Sequence, residues 1–233
     1  NISQPTPLVV TETHINLLCN GAGSGSINLT SIGGTLPYAY VWNDAVVTED
    51  RTNLSGGNYS VTVNDNNSCS SVLNIVITEP AALTISETHT DILCNAGNNG
   101  SITLTVNGGT TPYSFSWSDG NVNPNRANLI AGNYFVTVTD NNACSSVLLI
   151  TLTQPNALSI TETHIDVACS GGNTGSIDVT IDGGSPAYSY LWNDGVTTQD
   201  RTNIVQGNYS ITATDNNSCT STLAISVGSA SGI

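Results

Sequence analysis

Residues 100–109 read Gly100-Ser101-Ile102-Thr103-Leu104-Thr105-Val106-Asn107-Gly108-Gly109. Apolar and hydroxyl side chains alternate, and two glycines end the run. Alternation of this kind predicts a half-buried β-strand closed by a turn. The same stretch recurs at 25–34 and at 175–184, each copy 75 residues from the next. Working outward, Tyr113, Phe115 and Trp117 alternate with Ser114 and Ser116. Tyr38, Tyr40, Trp42 and Tyr188, Tyr190, Trp192 repeat that strand. Further alternating runs carry Tyr134, Val136, Val138 and Leu148, Ile150, Leu152, while Leu83 and Ile85 open the unit. No helical stripe is present. One apolar face and one polar face per strand predict antiparallel sheets packed as a sandwich.

The period holds for every conspicuous residue. Cys19, Cys94 and Cys169 keep it, as do Trp42, Trp117 and Trp192, His14, His89 and His164, and Arg51, Arg126 and Arg201. A catalytic constellation occurs once and breaks such symmetry, so the pattern argues for a modular array and against an enzyme. The expected fold is all-β: a tandem array of three immunoglobulin-like antiparallel β-sandwich repeats forming a rod. The repeats are expected at 1–80, 81–155 and 156–233. Glu79-Pro80-Ala81-Ala82-Leu83 and Gln154-Pro155-Asn156-Ala157-Leu158 join them, and proline stiffens such short joints. Strands of about 8 residues at roughly 3.3 Å each give about 35 Å per repeat and about 100 Å for three.

The turns agree with this reading. Gly33-Gly34, Gly108-Gly109 and Gly183-Gly184 precede the aromatic strand, and Asp-Asn-Asn loops at 65–67, 140–142 and 215–217 close the last hairpin. The first repeat slips by one residue near Ile32, which predicts a bulge. Leu54/Gly57/Tyr59 and its copies at Leu129/Gly132/Tyr134 and Ile204/Gly207/Tyr209 look like a tyrosine corner, in which the phenol bonds back to the preceding loop.

Each repeat has two cysteines, always 50 residues apart. The simplest connectivity is Cys19–Cys69, Cys94–Cys144 and Cys169–Cys219, although six cysteines allow about 15 pairings. Each bridge is then expected to clip one end of its sandwich. Closing such a loop is worth about 4 kcal/mol in the chain-entropy model. Zinc sites want closely spaced pairs, which are absent from the sequence. Disulfides point to an extracellular setting.

Seventeen acidic residues, three arginines and no lysine give a net charge of −14. Phosphate recognition needs clustered cations, so nucleic acid is excluded as a partner. Attraction to anionic lipid fails for the same reason, and no apolar run is long enough to span a bilayer. Without lysine, no Lys–Asn isopeptide bond can form. Asn1-Ile2-Ser3-Gln4-Pro5 matches the repeat end Leu152-Thr153-Gln154-Pro155, so another repeat is expected before residue 1. The third repeat closes as Ser226-Val227-Gly228-Ser229 without that proline.

Cys94, Gly100-Ser101-Ile102, Gly108-Gly109, Pro112-Tyr113-Ser114-Phe115-Ser116-Trp117-Ser118-Asp119-Gly120, Ala131-Gly132-Asn133-Tyr134-Phe135-Val136-Thr137-Val138-Thr139-Asp140 and Cys144, taken together, resemble the SprB repeat. That family occurs in very large surface adhesins of gliding Bacteroidetes exported by the type IX secretion system. The resemblance recurs in all three units and implies an adhesin repeat on the bacterial cell surface. The usual glycine before the second cysteine is Ser68, Ala143 or Ser218 here, which shifts the demand for left-handed backbone to Asn67, Asn142 and Asn217.

Candidate sites are weighed residue by residue. The histidines share a face with Glu87 and its copies, but one per unit reads as solvated structure and not as a metal site. The tryptophans could stack on sugars, yet they are in phase with the core aromatics. The Asp-Asn-Asn loops could offer oxygens to Ca²⁺ but lack the spacing of a dedicated loop. Asp44/Arg51, Asp119/Arg126 and Asp194/Arg201 read as structural pairs. No cofactor is expected. Two functions remain: a structural stalk whose partners are the adjacent repeats of the same polypeptide, or a binding module or filament-forming repeat recognising surface glycans or other copies of the chain. Phe135 is an outward aromatic that Ser60 and Ser210 replace elsewhere, which favours the stalk.

Overall fold

The computed structural model describes residues 6–229; the Asn1–Pro5 match to a repeat end lies outside them. The described residues form eighteen strands and six three-stranded antiparallel sheets, two per repeat. The first repeat contains β1 (Val9–Ile15), β2 (Gly25–Ile32), β3 (Ala39–Trp42), β4 (Arg51–Leu54), β5 (Gly57–Asn64) and β6 (Ser70–Ile77). The second contains β7 (Thr84–Thr90), β8 (Gly100–Asn107), β9 (Ser114–Trp117), β10 (Arg126–Leu129), β11 (Gly132–Thr139) and β12 (Ser145–Leu152). The third contains β13 (Ser159–Ile165), β14 (Gly175–Asp182), β15 (Ser189–Trp192), β16 (Arg201–Ile204), β17 (Gly207–Thr214) and β18 (Thr220–Val227). One sheet of the first repeat has the order β1-β2-β4 and the other β3-β5-β6, and the later repeats copy both orders. This is an all-β, immunoglobulin-like sandwich built three times.

The alternating runs bury the expected faces. In the first repeat Ile27, Leu29, Trp42, Leu54, Val61, Val63, Ile75 and Ile77 form one core, with Tyr38, Tyr40 and Tyr59 packed at its edge. The third repeat repeats this with Ile177, Val179, Trp192, Ile204, Ile211, Ile225 and Val227. Ile102, Trp117, Val136, Val138, Ile150 and Leu152 are buried at the corresponding positions of the second. Trp42 Nε1 donates to the carbonyl of Thr48 and Trp192 Nε1 to that of Thr198, both at 2.8 Å, so the indole pole is satisfied inside. The tyrosine corners are present: Tyr59, Tyr134 and Tyr209 donate to the carbonyls of Ser55, Ile130 and Val205 at 3.0, 2.9 and 2.9 Å.

The bulge expected at Ile32 is absent. β1 and β2 pair without a break from Val9↔Ile32 to Ile15↔Ser26, and Ile32 faces outward at the strand end. The irregularity is in β4, where Gly25 faces Leu54 but Ile27 faces Arg51. The extra residue is accommodated at Asn53, whose φ of 57° is left-handed. Asparagine tolerates that region through its short polar side chain, and Asn128 and Asn203 do the same in the other repeats.

The chain divides into two compact units. One holds the first repeat with residues 105–122 and 136–148 of the second; the other holds residues 87–104 and 123–135 with the third repeat. The direction of the strands decides where each cysteine lies. Call the end of a repeat that carries Pro7, Gly33 and Asp65 its head, and the end that carries Leu17, Leu54 and Thr78 its tail. β2 runs from tail to head, β3 and β4 share a single descent that changes sheet midway, and β5 runs back to the head. Cys19 therefore lies at the tail and Cys69 at the head, a β5 length of roughly 25 Å apart.

Candidate functional site

The head is organised by one buried carboxylate. Asp65 accepts from the backbone N–H groups of Thr35, Asn67 and Cys69, each at 2.9 Å. Asp140 and Asp215 hold Thr110, Asn142, Cys144 and Ser185, Asn217, Cys219 in the same way. Burial alone raises the pKa of each carboxyl, but the three N–H donors outweigh it and hold all three below the ordinary aspartate value. Their oxygens point at backbone amides and are spent there, which makes the Asp-Asn-Asn loops turns of the frame. The left-handed residue of the loop is Ser68, Ala143 or Ser218, at φ of 63, 64 and 66°, and not the preceding asparagine. The side chain of that asparagine is used instead: Asn67 Nδ2 donates to Thr35 Oγ1 at 2.9 Å, and Asn142 Nδ2 to Thr110 Oγ1 at 3.0 Å.

The turn at the head is equally tight. A side chain on Gly33, at φ 77°, would collide with the carbonyl oxygen of Pro7, so the incoming linker lies directly on the glycine pair. At the tail, Leu17 N–H donates to the Thr78 carbonyl at 2.9 Å and Asn16 Oδ1 accepts from Thr78 N–H at 2.7 Å. Ile92, Thr153 and Asp91 reproduce this in the second repeat, and Val167, Gly228 and Asp166 in the third. The tail turn that carries the first cysteine is thus tied to the outgoing strand in each case. Asn20 and Asn95 donate further to the carbonyls of Pro80 and Pro155, both at 3.0 Å.

Head and tail meet across each linker, and there the cysteines pair differently from the sequence expectation. Cys19 is bonded to Cys144 and Cys94 to Cys219, each with Cα atoms 5.6 Å apart. The expected pairs Cys19–Cys69, Cys94–Cys144 and Cys169–Cys219 are not formed. Their members occupy opposite ends of one sandwich, far beyond the roughly 7 Å that a disulfide tolerates between Cα atoms. The bond runs instead from the tail of one repeat to the head of the next. Beside it Asn142 Nδ2 donates to the Leu18 carbonyl, and Asn217 Nδ2 to that of Leu93, both at 3.0 Å. Cys69 and Cys169 are free thiols, both exposed, whereas the four bonded cysteines are half-buried.

The remaining candidates are structural. His14, His89 and His164 lie 3.0, 3.0 and 3.1 Å from Glu12, Glu87 and Glu162 on an exposed strand face. Among the described residues, no group of three or more His, Cys, Asp or Glu is placed to hold a metal ion. Arg51 forms a two-pronged pair with Asp44 at 2.7 and 3.0 Å while lying over the rings of Trp42 and Tyr59, and Arg201 copies it with Asp194, Trp192 and Tyr209. Arg126 lies over Tyr134. The arginines therefore seal the sandwich edge.

The SprB repeat family model matches the chain three times, at residues 11–47, 86–122 and 161–197. No curated protein matches the chain significantly. Among solved structures, the N-terminal eight immunoglobulin domains of Down Syndrome Cell Adhesion Molecule align at 11% identity and a TM-score of 0.47, over 97% of this chain and 48% of that one. A three-domain immunoglobulin segment of titin aligns at 13% identity and 0.43, covering 97% and 99%. Domains 1–6 of surface layer protein SbsC align at 13% identity and 0.31, covering 100% and 41%.

Peptide mapping of unreduced protein will recover Cys19 joined to Cys144 and Cys94 joined to Cys219; recovery of Cys19 joined to Cys69 would overturn the head-to-tail arrangement. The aspartates give a second test. Because their folded pKa values lie below 3.8, their stabilisation is complete above that value and is lost as pH falls through the lower folded value. Asp140→Asn will lower the melting temperature at neutral pH, and the gap to the parent will close on acidification below about pH 4. A gap that stays constant with pH would refute this role.

Proposed function

We propose that this chain, a run of SprB repeats, is a segment of the structural stalk of a large bacterial cell-surface adhesin that serves attachment or gliding motility. The reading places it outside the cell, without membrane insertion, with the neighbouring repeats of its own polypeptide as its first partners. The observation that carries it is the covalent lock from tail to head at both linkers. A module that only binds a ligand has no need of such a lock, whereas a load-bearing strut does.

The outward side chains support the same reading. Val72 and Val76 on β6 become Val147 and Thr151 on β12, and Thr222 and Ser226 on β18. An apolar recognition surface repeated along the array would keep these positions. The tryptophans that could stack on sugars are buried. A binding-module or filament role would rest on surfaces that differ from one repeat to the next.

The locks also shorten the covalent path. Without them, 200 residues separate Cys19 from Cys219; with both closed, the shortest covalent path crosses from Cys19 to Cys144, runs back over 50 residues to Cys94, and crosses to Cys219. Pulled from its termini, the oxidised segment between these cysteines will reach about 175 Å, and the reduced segment about 700 Å, at roughly 3.5 Å per residue. Equal contour lengths with and without reductant in single-molecule stretching would sink the stalk reading. Small-angle scattering tests the rod independently: a maximum dimension near about 100 Å supports it, and a compact particle of about 60–70 Å argues for a composite binding surface.

A further inference from the structure

We infer that Asn20-Gly21, in the tail turn of the first repeat, is a deamidation site that Glu79 guards while the turn lies on the outgoing linker, and that conversion of Asn20 loosens the turn that presents Cys19. The inference goes beyond the stalk reading, because it concerns the covalent fate of one side chain. Asparagine followed by glycine is the dipeptide most open to this reaction, since glycine places no side chain beside the attacking nitrogen. Asn20 and Gly21 are both exposed, so water reaches them. Their turn follows the bonded Cys19 directly and is closed by Ala22 N–H on the Cys19 carbonyl at 3.3 Å.

In the reaction the Gly21 nitrogen loses its proton and attacks Asn20 Cγ. The new N–Cγ bond closes a succinimide ring, the Cγ–Nδ2 bond breaks, and ammonia leaves. Water then opens the ring at either carbonyl and yields aspartate or isoaspartate, with no change of oxidation state. Both reacting groups are held in the folded turn. Gly21 N–H donates to Glu79 Oε2 at 2.8 Å. A carboxylate at that place disfavours loss of the proton, because the amide anion would stand beside a like charge. The Asn20 amide is pinned as well, with Nδ2 donating to the Pro80 carbonyl at 3.0 Å.

The other tails show what is particular to the first. In the second repeat Asn95 Nδ2 donates to the Pro155 carbonyl at 3.0 Å and Ala96 N–H to Gln154 Oε1 at 2.9 Å. The two hydrogen bonds are the same, but the acceptor is neutral and the residue after asparagine carries a side chain, in left-handed backbone at φ 58°. The third tail reads Ser170-Gly171 and has no amide to lose. Among the three tails, the carboxylate therefore stands at the one turn that holds Asn-Gly. Glu79 and Pro80 belong to the linker, so a pull that peels the linker from the turn removes both restraints together. Conversion then deletes the donor to Pro80 and sets a second carboxylate beside Glu79, which opposes redocking of the turn.

The test incubates the oxidised 1–233 chain at neutral pH in heavy-oxygen water and scores aspartate and isoaspartate at position 20 by peptide mapping. Asn20 of the folded parent should convert at least about tenfold more slowly than in the same chain reduced and unfolded in urea, and Glu79→Ala should convert about tenfold faster than the parent, the ratio expected for a hydrogen bond to a charged group. Glu79→Gln, which can accept as Gln154 does, should fall between them. A Cys19–Cys144 bond recovered in each digest shows that the variants keep the joint. Equal rates in the parent and both variants, or a faster rate in the parent, overturn the guard. For the consequence, Asn20→Asp is reduced and reoxidised in a glutathione buffer. Recovery of Cys19–Cys144 relative to Cys94–Cys219 should fall about fivefold, the ratio expected for one hydrogen bond; an unchanged ratio overturns that half of the proposal. Neither result bears on the stalk reading, which rests on the two bonds of the parent chain.

Discussion

The structure depends on one buried carboxylate per repeat. Asp65, Asp140 and Asp215 each bind an N–H from the turn after the glycine pair, and two more from their own loop. The glycine beside each, Gly34, Gly109 or Gly184, leaves no room for a side chain, because an added carbon would fall 2.7–2.8 Å from the aspartate oxygen. The loop that presents the second cysteine is thereby fixed relative to the incoming linker. A desolvated carboxylate with three backbone donors is a stiff element, since losing any one of them leaves a buried charge undersatisfied. The disulfide chemistry is consequently set by hydrogen bonds made several residues away from sulfur.

The sandwich was legible because period-two alternation maps directly onto one buried and one wet sheet face. Ile102, Trp117, Val136 and Ile150 all lie on the side that alternation assigned them. The tyrosine corners and the Asp–Arg pairs could be read from fixed spacing because each closes locally. The bulge was misplaced because Ile32 suggests a slipped core position, whereas the real irregularity depends on the backbone of Asn53, which has no hydrophobic pattern to betray it.

Cysteine pairing was misread for a different reason. A spacing of 50 residues within each repeat also makes Cys19 to Cys144 and Cys94 to Cys219 equally periodic, at 125 residues. Periodicity cannot choose between these partners. Strand parity can. Between the two cysteines of a repeat the chain crosses the sandwich three times, with β3 and β4 sharing one crossing, and an odd number of crossings leaves the cysteines at opposite ends. The three alternating runs legible between the cysteines already carry that odd parity, and the short β4 leaves it unchanged because it completes the descent that β3 begins.

The same placement changes what the bonds do for stability. A bond inside a repeat would restrict only that repeat's unfolded chain. Here the loop from Cys19 to Cys144 and the loop from Cys94 to Cys219 overlap across the second repeat. Each loop taken alone is worth about 5 kcal/mol in the chain-entropy model, and their overlap makes the sum smaller than twice that. The cost of unfolding is thereby shared between neighbours, because each bond reduces the freedom of two repeats at once. Repeats of this size bury too little surface to be securely stable alone. An array of weak sandwiches thus gains strength from its joints, so that stability and connectivity are supplied by the same pair of sulfur atoms.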